Sequence, residues 1–224
     1  MKTVESATEV RLEPEAAANA AIIWLHGLGA DGYDFVPIVP ELKLPAAVSA
    51  RFLFPHAEVR PVTINGGMRM RAWYDILGFD RSDAQDEAGI RASAARVDAL
   101  IDAQVAGGVP HGRIVLAGFS QGGAIALHAG LRRREALAGV MALSTYLPLE
   151  STVAAEATPA GRATPVLMCH GAQDPVVILD RGTRSRDALR SLDALVDWHQ
   201  YPMGHEVCVE EIDGISRWLG LRLG

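Results

Sequence analysis

The sequence has few cysteines and shows no metal-binding pattern. Its two cysteines, Cys169 and Cys208, are too few and too far apart in 224 residues for a disulfide framework or a C-x-x-C metal site. Both are expected to be reduced thiols in a cytoplasmic protein. The chain contains neither H-E-x-x-H nor a group of closely spaced Cys and His, so we expect no metal and no organic cofactor.

Long apolar runs and strong basic character are also missing. No apolar stretch approaches the ~20 residues of a membrane-spanning helix, and the N-terminal M-K-T-V-E-S-A-T-E-V lacks the apolar core of a signal peptide. The net charge is -6 and only 6% of the residues are aromatic. The one compact basic cluster, Arg132–Arg134, is interpreted as a solvated helix end, so no nucleic-acid partner and no membrane span are expected.

The chain alternates short apolar runs with longer helical patterns, without a linker or a repeat. This alternation predicts a single three-layer α/β domain over residues 1–224, with a mostly parallel central sheet and a loose tail at residues 1–7. The predicted strands are Ala21–Leu25, Arg51–Phe54, Arg113–Ala117, Ala138–Leu143, Pro165–Cys169 and Leu195–Tyr201. The predicted helices are Asp86–Val105, a segment that begins right after Ser120 and ends at Leu131, Thr183–Ala194 and Glu206–Leu219.

Ser120 stands in L-A-G-F-S-Q-G-G, at the end of an apolar strand pattern and at the start of a helix pattern. This context predicts a nucleophile elbow, a sharp strained turn that presents a serine hydroxyl. The close approach of strand and helix needs small neighbours, which Gly118, Gly122 and Gly123 supply. The alternative is a glycine-rich loop with a structural serine.

A serine nucleophile needs a base and a carboxylate to orient that base. Asp174, in H-G-A-Q-D-P just after a strand, and His205, in G-H-E-V between the last strand and the last helix, are the candidates. We interpret the remaining candidates as structural or surface residues: His26 and His170 hold loops, His199 packs in a strand or at its edge, and His56, His111, His128, Asp180, Asp187, Asp193 and Asp197 lie at the surface.

Acyl transfer also needs hydrogen-bond donors for the developing oxyanion. The backbone N–H of Gln121, directly after the candidate nucleophile, is one candidate. The glycine-rich loop in W-L-H-G-L-G-A-D-G, which follows an early strand, offers the backbone N–H of Leu28 as the second.

The sequence resembles the carboxylesterase and acyl-protein thioesterase family of α/β-hydrolases over nearly its whole length. The resemblance implies an α/β-hydrolase fold, a Ser120–Asp174–His205 triad and an oxyanion hole from Leu28 and Gln121. It further implies that the segment 65–74, with Met70 and Trp73, borders the acyl site, and it allows a homodimer. The motifs that carry it are L-H-G-L-G-A-D-G from Leu25, P-V-T-I-N-G-G-M from Pro61, A-W-Y-D-I from Ala72, D-E-A-G-I from Asp86, G-F-S-Q-G-G-A from Gly118, L-A-G-V-M-A-L-S from Leu137, H-G-A-Q-D-P-V-V from His170 and G-H-E-V from Gly204.

Two departures refine the expectation. Lys2 stands where eukaryotic thioesterases of this family have a lipidatable cysteine. The G-H-E-V motif, in which Glu206 follows the base, resembles the bacterial carboxylesterase branch. Arg69 and Arg71 replace residues that are more often uncharged, so they either favour anionic substrates or point away from the site on alternate strand positions.

The leading hypothesis is a serine carboxylesterase that hydrolyses small-molecule esters with short to medium acyl chains. An acyl-protein thioesterase or lysophospholipase is the close alternative, because the same machinery serves both. A catalytically silent binding protein is the distant one. The residues leave the physiological substrate and the acyl length open.

Overall fold

The computed structural model describes residues 1–78 and 84–224, in which strands and helices alternate along most of the chain. The strands are β1 (Lys2–Glu5), β2 (Glu9–Glu13), β3 (Ala20–Leu25), β4 (Ala50–Pro55), β5 (Val59–Val62), β6 (Met68–Arg71), β7 (Ile114–Phe119), β8 (Gly139–Leu143), β9 (Val166–Gly171) and β10 (Val196–Tyr201). The α-helices are α1 (Glu87–Ala106), α2 (Gln121–Arg132), α3 (Glu150–Glu156), α4 (Pro159–Ala163), α5 (Leu179–Arg190) and α6 (Val209–Leu223).

Eight strands form one sheet in the order β1-β2-β4-β3-β7-β8-β9-β10. The pairs β1–β2 and β2–β4 are antiparallel, and every other pair in this sheet is parallel. Strands β3, β8 and β9 are buried along their full length, because helices cover both faces of a parallel sheet. The prediction of an α/β fold with a mostly parallel central sheet is confirmed.

Two apolar clusters fill the space between the layers. On one face, Ile101 of α1 and Leu127 of α2 pack with the sheet residues Ile23 and Leu116. On the other face, Leu219 of α6 packs with sheet residues and with the 3-10 segment Val36–Glu41. The sheet is therefore the middle of three layers. No helix in residues 1–78 or 84–224 combines the length and the apolar character needed to cross a membrane.

The prediction of a loose tail at residues 1–7 is wrong for Lys2–Glu5, which form the outermost strand β1 and pair with β2. All four residues are exposed, so the strand has no buried face and leaves no alternating apolar pattern in the sequence. The β5–β6 hairpin lies outside the main sheet and is not among the six predicted strands, because only one of its eight strand residues is buried and the hairpin has no continuous apolar pattern.

Helix α6 carries a buried carboxylate, Glu211, which is 0% exposed. Neither of its carboxylate oxygens meets a good hydrogen-bond donor among the described residues. Burial raises the pKa of Glu211 to about 8, and it outweighs the opposite effects of the Cys169 thiol and the Cys208 backbone. Glu211 therefore binds a proton in the folded state at neutral pH.

We expect the free energy of unfolding to fall as the pH rises from about 4.3, the usual pKa of an unfolded glutamate, to about 8. In this window the folded state binds more protons through Glu211 than the unfolded state does, so each rise in pH favours unfolding. Glu211→Gln should make the slope shallower and raise stability at pH 8. Urea unfolding across this range measures the slope.

The neighbouring Glu210 is exposed, and Glu210→Gln is the matched control. An equal pH slope in the native chain and in Glu211→Gln would contradict this account of the buried carboxylate.

Candidate active site

Ser120 lies at a sharp turn between β7 and α2. Its φ of 52° falls in the left-handed region, which non-glycine residues rarely adopt and which costs energy. The turn is held on both sides, since the Ser120 N–H donates to the Leu143 carbonyl at 2.8 Å and the Thr145 hydroxyl donates to the Ser120 carbonyl at 2.6 Å. These contacts hold the strained backbone that a nucleophile elbow requires.

The glycines around Ser120 are explained by the space available to them. A Cβ at Gly118 would lie 2.3 Å from the Gly122 carbonyl oxygen, and a Cβ at Gly122 would lie 2.4 Å from the Leu25 carbonyl oxygen. Real Cβ atoms do not approach backbone this closely, so β3, β7 and α2 can meet only where side chains are absent.

Ser120, His205 and Asp174 form a hydrogen-bonded chain. The His205 Nε2 lies 2.9 Å from the Ser120 Oγ, and the His205 Nδ1 lies 2.7 Å from the Asp174 Oδ2. The Asp174 side chain is fully buried and that of His205 is 17% exposed. All three residues follow the carboxyl ends of parallel strands, β7, β9 and β10, so residues 85 positions apart meet at one edge of the sheet.

The Asp174 carboxylate is fixed by its own loop. Its Oδ1 accepts hydrogen bonds from the N–H groups of Val176 at 2.8 Å and Val177 at 2.9 Å. This arrangement leaves Oδ2 for the imidazole of His205. An Nδ1–H on His205 then donates to Asp174, and Nε2 is free to accept the proton of the Ser120 hydroxyl.

The two predicted oxyanion donors lie beside Ser120. Leu28 is in the loop after β3, and Gln121 is the first residue of α2. Both line the same cavity as Ser120 and His205. Within residues 1–78 and 84–224, neither backbone N–H has a hydrogen-bond acceptor, so both are available to an oxyanion in this cavity.

The cavity at this site has a volume of about 250 Å³ and is largely apolar. Its apolar wall includes Ile76, Phe119, Val176 and Val177, and its polar residues include Asp34, Tyr146 and Arg181. None of these was predicted from the sequence. Six of these seven lie in loops or at a helix start, where the direction of a side chain depends on packing rather than on periodicity.

Trp73 and Met70 do not line this cavity, contrary to the expectation that both border the acyl site. Trp73 is 1% exposed, and its indole N–H donates to the His26 carbonyl at 2.9 Å. Its backbone N–H donates to the Gln121 side chain at 2.8 Å. Trp73 therefore holds the loop after β3 against the start of α2, and its side chain supports the site from behind. Met70 lies on the β5–β6 hairpin, with its sulfur near Gly29.

Arg69 and Arg71 are also outside the cavity. The Arg69 guanidinium donates to the Val59 carbonyl at 3.1 Å, and the Arg71 guanidinium donates to the Ala57 carbonyl at 2.8 Å. Both therefore brace the hairpin and its base. Of the two alternatives for this pair, the structure favours arginines that point away from the site.

Two of the buried histidines, His26 and His170, have structural partners. His26 accepts a hydrogen bond from the Ala57 N–H at 3.0 Å and donates to the Gly27 carbonyl, and burial lowers its pKa to about 4. The His170 Nε2–H donates to the Val177 carbonyl at 2.7 Å. The prediction that His56 and His128 lie at the surface is wrong, because they are 8% and 1% exposed.

No group of three His, Cys, Asp or Glu residues in the described part of the chain is arranged to hold a metal ion.

Comparisons with known proteins agree with this geometry. The family model described as Phospholipase/Carboxylesterase matches residues 7–222. The chain is 41% identical to acyl-protein thioesterase 1 of Neurospora crassa, over 93% of this chain and 89% of the relative. It is 38% identical to acyl-protein thioesterase 1 of Yarrowia lipolytica, over 94% and 95% of the two chains.

The crystal structure of Zea mays acyl-protein thioesterase 2 superposes with a TM-score of 0.86 at 31% identity, covering 96% of this chain and 99% of that one. The family match spans nearly all residues, and the sheet has the strand order that brings the elbow serine to its carboxyl edge. The chain therefore belongs to the phospholipase/carboxylesterase family, and it is a serine hydrolase with the α/β-hydrolase fold.

Proposed function

We propose that this protein is an acyl thioesterase that also cleaves carboxylic esters, and that it acts through an acyl-enzyme on Ser120. The hydrogen-bonded chain of Ser120, His205 and Asp174 beside an apolar cavity is the observation that carries the proposal. The names of the relatives, acyl-protein thioesterases at up to 41% identity, favour thioesters over a purely oxygen-ester role.

Each residue in the proposed mechanism has one task. His205 takes the proton from Ser120 as the Oγ attacks the acyl carbonyl, and Asp174 stabilises the imidazolium that forms. The N–H groups of Leu28 and Gln121 stabilise the oxyanion. The thiolate leaves with the proton from His205, and water then attacks the acyl-enzyme by the same route to release the acid and restore Ser120.

The acyl chain fits the apolar part of the cavity, between Ile76, Phe119 and Val176. Each methylene buried there contributes about 0.8 kcal/mol, so kcat/KM should rise with acyl length until the cavity is filled. A volume of about 250 Å³ favours short and medium chains. This limited volume is the observation that keeps a short-chain carboxylesterase as the second candidate.

The test compares thioesters and oxygen esters of the same acyl groups, from two to sixteen carbons, together with a peptide acylated on cysteine. We expect kcat/KM to be higher for the thioester at each length, because a thiolate leaves more readily than an alkoxide, and to level off at medium length. Ser120→Ala gives the background rate. Oxygen esters that react faster than thioesters at every length, with no turnover of the peptide, would favour the carboxylesterase.

A further inference from the structure

The cavity beside Ser120 contains a cation that the proposed chemistry does not use. Arg181, in the first turn of α5, lines the cavity together with Ser120 and His205. It also lines an adjoining cavity of about 370 Å³, which shares Tyr74, Ile76 and Tyr146 with the first. Arg181 therefore stands where the two cavities meet.

The guanidinium of Arg181 is held by stacking rather than by an ion pair. Its central carbon lies 3.9 Å from the centroid of the Tyr146 ring. The Tyr146 hydroxyl is hydrogen bonded to the Tyr74 hydroxyl at 2.7 Å, and the Tyr74 carbonyl accepts a hydrogen bond from the Gln121 side chain at 2.7 Å. Arg181 is thus connected through rigid contacts to the residue that follows Ser120.

Stacking occupies the face of a guanidinium and leaves the N–H groups at its edge free to bind a carboxylate with two hydrogen bonds. Among the described residues, the Arg181 guanidinium has no hydrogen-bond or ion-pair partner. Other arginines of the same helix do: Arg184 lies 3.7 Å from Asp180, and Arg186 lies 2.8 Å from Asp187. The N-terminal end of α5 also adds positive potential around Arg181.

Asp34 and Arg181 give the cavity wall a negative side and a positive side. Asp34 follows β3 and Arg181 follows β9, and β7, which leads to Ser120, lies between these strands in the sheet. A substrate with a negative group is therefore attracted at the Arg181 side and repelled at the Asp34 side.

From this geometry we infer that Arg181 is a specificity residue, and that the preferred substrates are thioesters or esters carrying a carboxylate, on the acyl chain or on the leaving group. The inference rests on the proposed function, because it names a substrate class for the same site. It differs from the expectation for Arg69 and Arg71, whose guanidinium groups bind backbone carbonyls of the hairpin and its base.

The test uses two pairs of substrates that differ only in charge. On the acyl side, the 4-nitrophenyl monoester of adipic acid is compared with the same ester of adipic acid monoamide. On the leaving-group side, the butyryl thioester of 3-mercaptopropionate is compared with that of 3-mercaptopropionamide. The acid-to-amide ratio of kcat/KM is measured for the native chain, Arg181→Met, Arg181→Lys and Arg186→Met.

Arg186→Met is the matched control, because Arg186 lies on the same helix, stacks on Trp198 and is outside the cavity. We expect the native chain to prefer the acid in one pair, and that pair identifies which part of the substrate carries the carboxylate. Arg181→Met should lower this ratio roughly tenfold, as expected for a lost charge-assisted hydrogen bond. Arg181→Lys should give an intermediate ratio, and Arg186→Met should stay near the native ratio.

The preference of the native chain for the acid should also weaken as NaCl is raised from about 0.02 M to about 0.5 M, which needs no variant to fold. A native ratio near one in both pairs, an equal fall in Arg186→Met, or a preference that salt does not change would overturn the role of Arg181. Absence of turnover for all four substrates would instead reject the proposed function, and the inference with it.

Discussion

Ser120→Ala is expected to lower kcat/KM on the order of 10⁴-fold while leaving the fold intact. The variant removes the Oγ on which the proposed mechanism forms the acyl-enzyme, and it changes little else. Alanine keeps the Cβ, so the backbone at a φ of 52° is no more strained than with serine. The His205 Nε2 loses a partner 2.9 Å away, but its side chain is 17% exposed and water can replace the hydroxyl.

Ser144 provides the control for this experiment. It also has a positive φ, 45°, it also follows a parallel strand of the sheet, and it is fully buried outside the cavity. Its hydroxyl has no hydrogen-bond partner among the described residues, so Ser144→Ala removes an unsatisfied group and should keep native activity. A phosphonate probe should label the native chain and Ser144→Ala, but not Ser120→Ala.

Retention of a tenth of the native rate by purified Ser120→Ala would show that another nucleophile acts. Equal losses in Ser120→Ala and Ser144→Ala would mean that the lost activity is not specific to the hydroxyl of Ser120. Circular dichroism and the melting temperature separate either result from unfolding.

The sheet and the residues at its carboxyl edge were predictable from the sequence because their signals are local. The six predicted strands coincide with β3, β4, β7, β8, β9 and β10 to within two residues at each end. Parallel strands end at one edge, so Ser120, Asp174 and His205, each following a strand, had to come close together. Leu28 also follows a parallel strand, β3, so the same reasoning places it at this edge.

The side chains that shape the cavity were not predictable, because their positions depend on packing between distant segments. Trp73 is an apolar residue just after the β5–β6 hairpin. Whether its side chain faces the cavity or the interior depends on its contacts with Gln121 and His26, which the sequence does not show. Tyr146 comes from a loop and Arg181 from a helix start, and no periodicity links them. His128 was misread because a single polar residue in a buried helix leaves no sign of which side it faces.

The second large effect is expected for Asp174→Asn, which should lower kcat/KM about 10³- to 10⁴-fold on a neutral thioester. The reason lies in the fixed orientation of the side chain. The N–H groups of Val176 and Val177 both donate to Oδ1, so the carbonyl of an asparagine must occupy that position. Its NH₂ group then faces His205, where the native chain has the carboxylate oxygen at 2.7 Å.

An NH₂ group donates hydrogen bonds, so it selects the tautomer of His205 that has a bare Nδ1 and a proton on Nε2. This tautomer has no lone pair on Nε2 to accept the Ser120 proton, so the nucleophile is not activated.

Asp180→Asn is the control. Asp180 is exposed and its ion pair with the Arg184 guanidinium, at 3.7 Å, is long, so the substitution should lower kcat/KM less than twofold. NMR of the imidazole nitrogens reports the tautomer directly in the native chain and in both variants. Comparable losses in Asp174→Asn and Asp180→Asn would mean that Asp174 does not orient the base. A large loss in Asp174→Asn with the native tautomer would mean that Asp174 acts mainly by stabilising the charge on His205.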